Sequence, residues 1–311
     1  MFKVAVIGAG YFGQRHIKLL SQMDDVEIVG IADKDIYRAF EVVKGYDIRC
    51  VEDFRELIDD AEIFFIVTPT ITHFEIANFL IDKGKHLFIE KPITEKVEDA
   101  QFLINEALQK GVIFQVGLIE RFNPAVRTLL EYVKNPLFIN AQRLSPFLGR
   151  ATDTDVTFDL MIHDIDLIWT ILKHCNLNEC SWIIKEIFKK SIVTYKIDYA
   201  DVWLEFESAD KQINANVIAS RVSISPKRSI TVIEEDCAFN ADLVERKVFK
   251  IDNKGNSYEL PVQNNNANPL YDEIRDFLQA IRENRFSNIA PSPKEIIEAI
   301  KIINQINGGE N

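Results

Sequence analysis

The stretch VAVIGAGYFGQRHI, Val4 to Ile17, places three glycines, Gly8, Gly10 and Gly13, directly behind a run of small and β-branched apolar residues. Such a run reads as a buried strand, and the residues that follow, FGQRHIKLLSQM, carry the apolar spacing of a helix. A G-x-G-x-x-G stretch is weak evidence by itself. Between a strand and a helix it predicts a dinucleotide turn. Gly8 takes the tight bend, Gly10 lets the backbone approach a pyrophosphate, and Gly13 lets the helix pack close to the strand. Tyr11 and Phe12 complete the turn, and the N–H groups of the helix N-terminus face the phosphates.

The second strand, VEIVGIAD, ends in Asp33, 20 residues beyond Gly13. A carboxylate there accepts hydrogen bonds from the adenosine ribose hydroxyls and repels a 2′-phosphate, so NAD is expected rather than NADP. Lys34 is the feature that suits NADP, because an ammonium pairs with a phosphate.

Working outward, strands and helices alternate. IYRAFEVVKG is a helix, DIRC a strand, DFRELIDD a short helix and IFFIVTP a strand. ITHFEIANFLIDKG is a helix, HLFIEKP a strand, VEDAQFLINEALQKG a helix and VIFQVGL a strand. This alternation predicts a doubly wound parallel sheet covered on both faces. Beyond it the pattern changes. NPAVRTLLEYVKN and residues 155–172 read as helices. Residues 181–262 read as antiparallel strands, SIVTYKI among them, and two helices close the chain. The expected architecture is α/β: a dinucleotide-binding Rossmann domain over 1–120, then an α+β domain over 121–311 with an open, mainly antiparallel sheet.

The 311-residue length suits two domains. The net charge of −12 argues against nucleic acid and anionic membranes as partners. Cys50, Cys175, Cys180 and Cys237 are scattered, and the closest two have four residues between them. That fits neither a zinc knuckle nor a redox C-x-x-C, and suits free thiols in a reducing compartment. The glycine turn begins at residue 8 and leaves no room for a signal peptide. The apolar run IFFIVTP is far short of the ~20 residues that span a bilayer. A cytoplasmic protein is expected.

Two further segments carry chemistry. Glu90, Lys91 and Pro92 close a strand of the parallel sheet, at the edge where such sheets bind ligands. Lys91 is either a solvated loop residue or a cation that stabilises a developing alkoxide. In TFDLMIHDIDLIW, Asp159 and His163 lie four apart on one helical face. A carboxylate one turn from an imidazole orients it, and a pKa near ~6.5 suits proton removal from an alcohol. Asp164 and Asp166 read as a solvated face or a helix-stabilising pair. Two other readings of His163 stay open: a satisfied core histidine, or a metal ligand with Asp159 and Asp166. The metal reading lacks a further ligand cluster. His16, His86 and His174 read as structural or surface residues. Phe64, Phe65, Phe88 and Phe114 read as core.

With the glycine turn in front of them, VTPTITH (Val67–His73) and FIEKPIT (Phe88–Thr94) resemble the glucose–fructose oxidoreductase, inositol dehydrogenase and rhizopine catabolism (Gfo/Idh/MocA) family over almost the whole chain. The resemblance implies an NAD(P)-dependent oxidoreductase acting on CH–OH groups. In that family Lys91 would reach the nicotinamide ribose and the substrate hydroxyl, and His163 would be the acid/base, modulated by Asp159. The two, from different domains, would meet in an interdomain cleft. Thr68 and Pro69 would flank the nicotinamide or its ribose, with His73 near the cofactor edge and Glu90 beside it.

QVGLIERFNPAVRTLL and RLSPFLGRATDTDVTFDLMIHDIDL resemble the subgroup of UDP-N-acetylglucosamine 3-dehydrogenases. This implies oxidation of the 3-hydroxyl of a UDP-N-acetyl-hexosamine. Arg121, Asn123, Arg143 and Arg150 then become candidates for substrate or diphosphate contacts, or else surface ion pairs. Leu118 stands where that subgroup has a histidine. The strand-rich second domain implies a homodimer or homotetramer. The alternatives are a dehydrogenase of a free sugar, an inositol or a tetrapyrrole, and a dinucleotide-sensing regulator without turnover.

Overall fold

The computed structural model describes residues 1–149, 152–177, 179–208 and 211–308. They form two compact units. The first comprises Met1–Leu118 and Glu273–Pro293, the second Ile119–Asp272 and Lys294–Asn311.

The first unit is built on six parallel strands: β1 (Phe2–Ile7), β2 (Val26–Ala32), β3 (Arg49–Val51), β4 (Ile63–Ile66), β5 (His86–Glu90) and β6 (Phe114–Gly117). Their order is β3-β2-β1-β4-β5-β6. The order reverses between β1 and β4, which makes that boundary the ligand crevice of a doubly wound sheet. Val4, Ala5 and Val6 of β1 and all four residues of β4 are buried, as expected of strands covered on both faces. The connecting helices are α1 (Tyr11–Leu20), α2 (Ile36–Val42), α3 (His73–Asp82) and α4 (Val97–Gln109). DFRELIDD, expected as a short helix, is a single 3-10 turn at Phe54–Leu57. The Asp53 carboxylate accepts the Arg55 N–H, a local bond that favours a tight turn over an α-helix.

Residues 273–293 pack with this first unit, so the second is not the continuous stretch 121–311 that was expected. They include most of α7 (Pro269–Arg282). Phe277 of α7 meets Phe65 and Phe88 edge-on, with ring centroids 5.9 and 5.8 Å away. Arg275 and Arg282 donate to Asp25 at 2.6 and 2.8 Å. Asp25 lies 250 residues before Arg275, and Phe65 and Phe88 lie roughly 200 before Phe277, which is why sequence spacing did not mark the return.

The second unit contains α5 (Pro124–Tyr132), β7 (Phe138–Leu144), a π-helical turn (Thr157–Met161), α6 (Ile162–His174) and seven further strands. These are β8 (Ser181–Lys190), β9 (Tyr199–Ser208), β10 (Lys211–Ser220), β11 (Lys227–Ile233), β12 (Cys237–Asp242), β13 (Lys247–Asp252) and β14 (Ser257–Leu260); α8 (Pro293–Asn307) follows. The sheet order is β14-β13-β12-β11-β7-β10-β9-β8. Neighbours are antiparallel except β7 and β10, which run parallel. β7, not anticipated from sequence, alternates buried Ile139, Ala141 and Arg143 with half-buried residues.

Each strand of this sheet turns one side inward. Ala200, Val202, Leu204 and Phe206 of β9 share a core with residues of α5, α6 and α8, among them Leu129, Ile168 and Ile303. SIVTYKI, expected as a strand, is a loop. The Asp198 carboxylate accepts the N–H groups of Ile192, Val193 and Thr194 at 2.6, 2.7 and 2.9 Å. Three consecutive donors turned onto one oxygen cannot serve a strand ladder.

Candidate active site

The glycine turn has the form that its residue types require. Gly8 has φ +107°, and a Cβ there would lie 2.6 Å from the Val67 carbonyl oxygen, at the end of β4. A Cβ on Gly13 would lie 2.0 Å from the Gly8 carbonyl oxygen, so α1 can pack on the turn only through a glycine. A Cβ on Gly10 would meet nothing within 4 Å. Gly10 is therefore not needed for packing, and its bare backbone faces open space at the N-terminus of α1. The residues fit a pyrophosphate there.

Asp33, just beyond β2, is held from both sides. Its Oδ2 accepts the Ala9 N–H at 2.7 Å and its Oδ1 accepts the Asp35 N–H at 2.9 Å. The carboxylate is thereby tied to the glycine turn itself, and it keeps lone pairs for hydroxyl donors. Lys34 is exposed, as are Tyr11 and Phe12, whose rings meet edge-on at 5.5 Å. The Arg15 guanidinium lies 4.9 Å over the Tyr11 ring.

The next two strand ends continue this edge. Thr68 is half-buried and Pro69 exposed, and the Thr72 hydroxyl lies 2.7 Å from the Thr68 hydroxyl and 2.8 Å from the Pro69 carbonyl. Glu90 and Lys91 are half-buried at the end of β5, and the Lys91–Pro92 peptide is cis. His73, expected at the cofactor edge, is instead almost fully buried. Its Nδ1 lies 2.9 Å from the Pro92 carbonyl and its Nε2 2.9 Å from the Thr68 carbonyl. It ties the two turns together from beneath. Burial pushes its pKa down, although both carbonyls and the charge of Glu90 pull the other way.

In the second unit the π turn leads directly into α6, so Asp159 and His163 fall on either side of a π-to-α transition rather than on one regular α-helix. Such transitions recur at functional sites. Both residues are half-buried, while Thr157, Phe158, Met161, Ile162 and Asp164 around them are buried. Asp159 and His163 are the titratable side chains that this part of the helix leaves accessible.

The arginines do not occupy the positions anticipated for substrate contacts. Arg121 is 2% exposed, and its Nε and Nη2 donate to Asp166 Oδ2 and Oδ1 at 2.9 and 2.6 Å, with Glu295 3.4 Å away. Arg143 is 3% exposed. It donates to Asp164 through Nε and Nη2 and to Glu120 through Nη1 at 2.7 Å. Burial opposes the charge on Arg143, and Asp164 and Glu120 outweigh that effect and raise its pKa. Burial likewise works against Glu120, whose carboxyl Arg143 and Arg228 hold below the usual range. Asn123 caps α5: its Oδ1 accepts the Ala125 N–H at 3.0 Å, and its Nδ2 donates to Glu120 and to the Leu243 carbonyl. These three side chains brace α6 and α5. Arg150 lies outside the described residues.

Asp164 and Asp166 are correspondingly not a solvated face, since each is 2% exposed. A signal for this was available. α6 is apolar nearly all round, so two aspartates flanked by Ile165, Leu167 and Ile168 had no wet side to occupy. Their partners had to be cations distant in sequence.

Residues 2–118 match an oxidoreductase family with an NAD-binding Rossmann fold, designated Gfo/Idh/MocA. UDP-N-acetylglucosamine 3-dehydrogenase of Acidithiobacillus ferrooxidans is 31% identical over 291 residues, which cover 91% of this chain and 90% of that enzyme. The chain belongs to the Gfo/Idh/MocA family. It is an oxidoreductase acting on CH–OH groups. A solved structure of the Acidithiobacillus enzyme matches with a TM-score of 0.88 at 28% identity, over 98% of this chain and 96% of that one. Glucose-6-phosphate 3-dehydrogenase of Bacillus subtilis is 24% identical over 335 residues, covering 96% and 91%. Both matches run through both units. Among the described residues, no helix is long and apolar enough to cross a membrane, and no group of three or more His, Cys, Asp or Glu could hold a metal ion.

Proposed function

We propose that this member of the family oxidises the 3-hydroxyl of a UDP-N-acetyl-hexosamine with NAD. The observation that carries the reading is the 31% identity to a UDP-N-acetylglucosamine 3-dehydrogenase over 91% of the chain, because it extends through the second unit and beyond the dinucleotide fold. When bound, NAD supplies the hydride acceptor. Lys91 offers a cation to the substrate oxygen and so favours its deprotonated form. His163 takes the hydroxyl proton, and Asp159 orients its ring and supports the imidazolium. Asp33 favours NAD, because a carboxylate held by the Ala9 N–H stands where a 2′-phosphate would have to enter.

The outward face of the eight-stranded sheet supports association with a second copy of the chain. Asp201, Asn216, Asn140, Gln142 and Lys227 form one hydrogen-bonded row across four strands. Beside it the Trp203 and Phe138 rings lie 5.8 Å apart, and Trp203 is 42% exposed. A homodimer through this face would bury the aromatic pair, and light scattering on the purified protein tests it.

The substrate is tested by NADH formation with UDP-N-acetylglucosamine, UDP-N-acetylgalactosamine, glucose 6-phosphate and myo-inositol, each with NAD and with NADP. The expected result is a kcat/KM at least about tenfold higher for a UDP-sugar with NAD, a difference of roughly 1.4 kcal/mol in barrier. Equal or better turnover of glucose 6-phosphate or inositol overturns the substrate. Lys91→Ala should keep NADH binding and lose turnover by about a thousandfold.

A further inference from the structure

His16 lies on α1 one turn beyond Gly13 and is fully buried. Its ring packs against Phe88 and Phe65, with centroids 5.2 and 5.5 Å away. Nε2 lies 2.9 Å from Glu90 Oε1, and Nδ1 has no hydrogen-bond partner among the described residues. The ring therefore has one polar task, which is to donate to Glu90. Near its other oxygen is Gly117, paired with Glu90 across β5 and β6, where a Cβ would sit 3.1 Å from the Phe88 ring and 3.2 Å from Glu90 Oε2. Glu90 thus has one oxygen on an imidazole donor and the other beside a position without a side chain, one residue before Lys91.

α1 also presents the glycine turn. A dinucleotide lying across this sheet edge has its adenosine at the β2 end and its pyrophosphate at β1, so the β4 and β5 ends receive the nicotinamide riboside. We propose that His16 is a positioning residue. Through its hydrogen bond to Glu90 it sets the end of β5 for the nicotinamide half of the dinucleotide, and so couples the pyrophosphate helix to the Lys91 turn. This rests on the dinucleotide reading of the glycine turn. A buried imidazole with a single polar partner is costly to keep unless that bond is used.

The test compares NADH with ADP-ribose, which lacks the nicotinamide, in equilibrium binding to wild type, His16→Phe, His16→Gln and Gly117→Ala. Phe keeps the ring packing and removes the donor, Gln restores a donor, and the alanine Cβ crowds both Glu90 Oε2 and the Phe88 ring on which His16 packs. The expected result is about a tenfold or greater loss of NADH affinity in His16→Phe and Gly117→Ala, ADP-ribose affinity within about twofold, and substantial recovery in His16→Gln. Unchanged NADH affinity in His16→Phe overturns the proposal. So does an equal loss of both ligands with a lowered melting temperature, which is what a purely structural residue gives. If His16→Phe does not fold, Gly117→Ala decides between the same two outcomes. Wild-type protein that binds neither ligand removes the dinucleotide reading itself, and this inference with it.

Discussion

Arg143 meets Asp164 in a two-point ion pair, Nε 3.0 Å from Oδ2 and Nη2 2.9 Å from Oδ1, with almost no access to water. Its third nitrogen holds Glu120 at 2.7 Å. Removing one partner of such a pair strands a buried charge and costs about 3–5 kcal/mol. Arg143→Met is expected to destabilise the protein by that amount in urea unfolding. Arg143→Met combined with Asp164→Leu should recover only part of the loss, because Glu120 still lacks its Arg143 partner. Had Arg143 been a substrate contact, Arg143→Lys would raise KM and leave unfolding untouched. Here a lysine cannot reproduce the planar fork, and the loss should appear in stability.

Gly10 and Gly13 make opposite demands. A Cβ on Gly13 would overlap the Gly8 carbonyl oxygen, whereas one on Gly10 meets nothing. Gly13→Ala is therefore expected to lower the melting temperature markedly. Gly10→Ala should fold with stability within about 1 kcal/mol of wild type, since alanine is a poorer N-cap than glycine but offsets that cost by restricting the unfolded chain. It should nevertheless lose about tenfold or more in NADH affinity, because the new methyl occupies the approach of the pyrophosphate. A Gly10→Ala protein that binds NADH normally would move the phosphates away from this turn.

What was legible in the sequence was local. The glycine turn, Asp33 and the alternation of strands with helices each depend on residues within about 20 positions, and period and turn chemistry report such patterns directly. What was not legible depends on distant partners. Arg121 and Asp166 are 45 residues apart, and His16 and Glu90 are 74 apart. A charged residue looks solvated until its counter-ion is known, which is why Arg121, Arg143, Asp164 and Asp166 were misplaced while the apolar core was not. SIVTYKI failed for a related reason: β-branched residues suit a strand, but the carboxylate of Asp198 takes their N–H groups. β7 was missed because its buried face includes Arg143, which breaks the apolar alternation of an otherwise ordinary strand.

His73 and His86 of the first unit contribute to its response to acid. His86 Nδ1 accepts the Ile113 N–H at 3.1 Å, so a proton there removes the bond. Burial pushes the His86 pKa down, partly countered by the charge of Glu62. Burial acts likewise on His73, countered by its two carbonyls and Glu90. In the unfolded chain both titrate near ~6.5. Below that value the unfolded state binds protons that the folded state refuses, so stability present above about pH 6.5 declines as pH falls. The urea midpoint should drop between pH 7.5 and pH 5.5. His86→Gln, whose carbonyl can accept the Ile113 N–H without titrating, should flatten part of that drop. An unchanged slope in His86→Gln removes His86 from the explanation.

Asp198 anchors the loop that precedes β9, and through it the start of the π turn. Its carboxylate takes three backbone N–H groups and, at 2.6 Å, the Thr194 hydroxyl; Arg221 Nε lies 3.7 Å away. Burial works to raise its pKa, and these donors hold it at about 2. An unfolded aspartate titrates near ~4, so this stabilisation is complete above that pH and is lost as pH falls toward 2. The same loop holds Asp155 and Val156, through Ile197 N–H to Asp155 Oδ1 at 2.8 Å and Val156 N–H to the Ile197 carbonyl at 2.9 Å. Asp155 stands four residues before Asp159 and eight before His163. Asp198→Asn can keep one oxygen for the three backbone N–H groups, but it loses the charge they share and turns its NH2 toward Arg221 Nε and the Thr194 hydroxyl, and should cost about 1–3 kcal/mol. Amide exchange should rise over residues 191–197, and kcat should fall with KM nearly unchanged, because Asp159 and His163 lose a fixed starting point. Normal exchange protection in that loop would show that the carboxylate does not hold it, and the predicted fall in kcat would go with it.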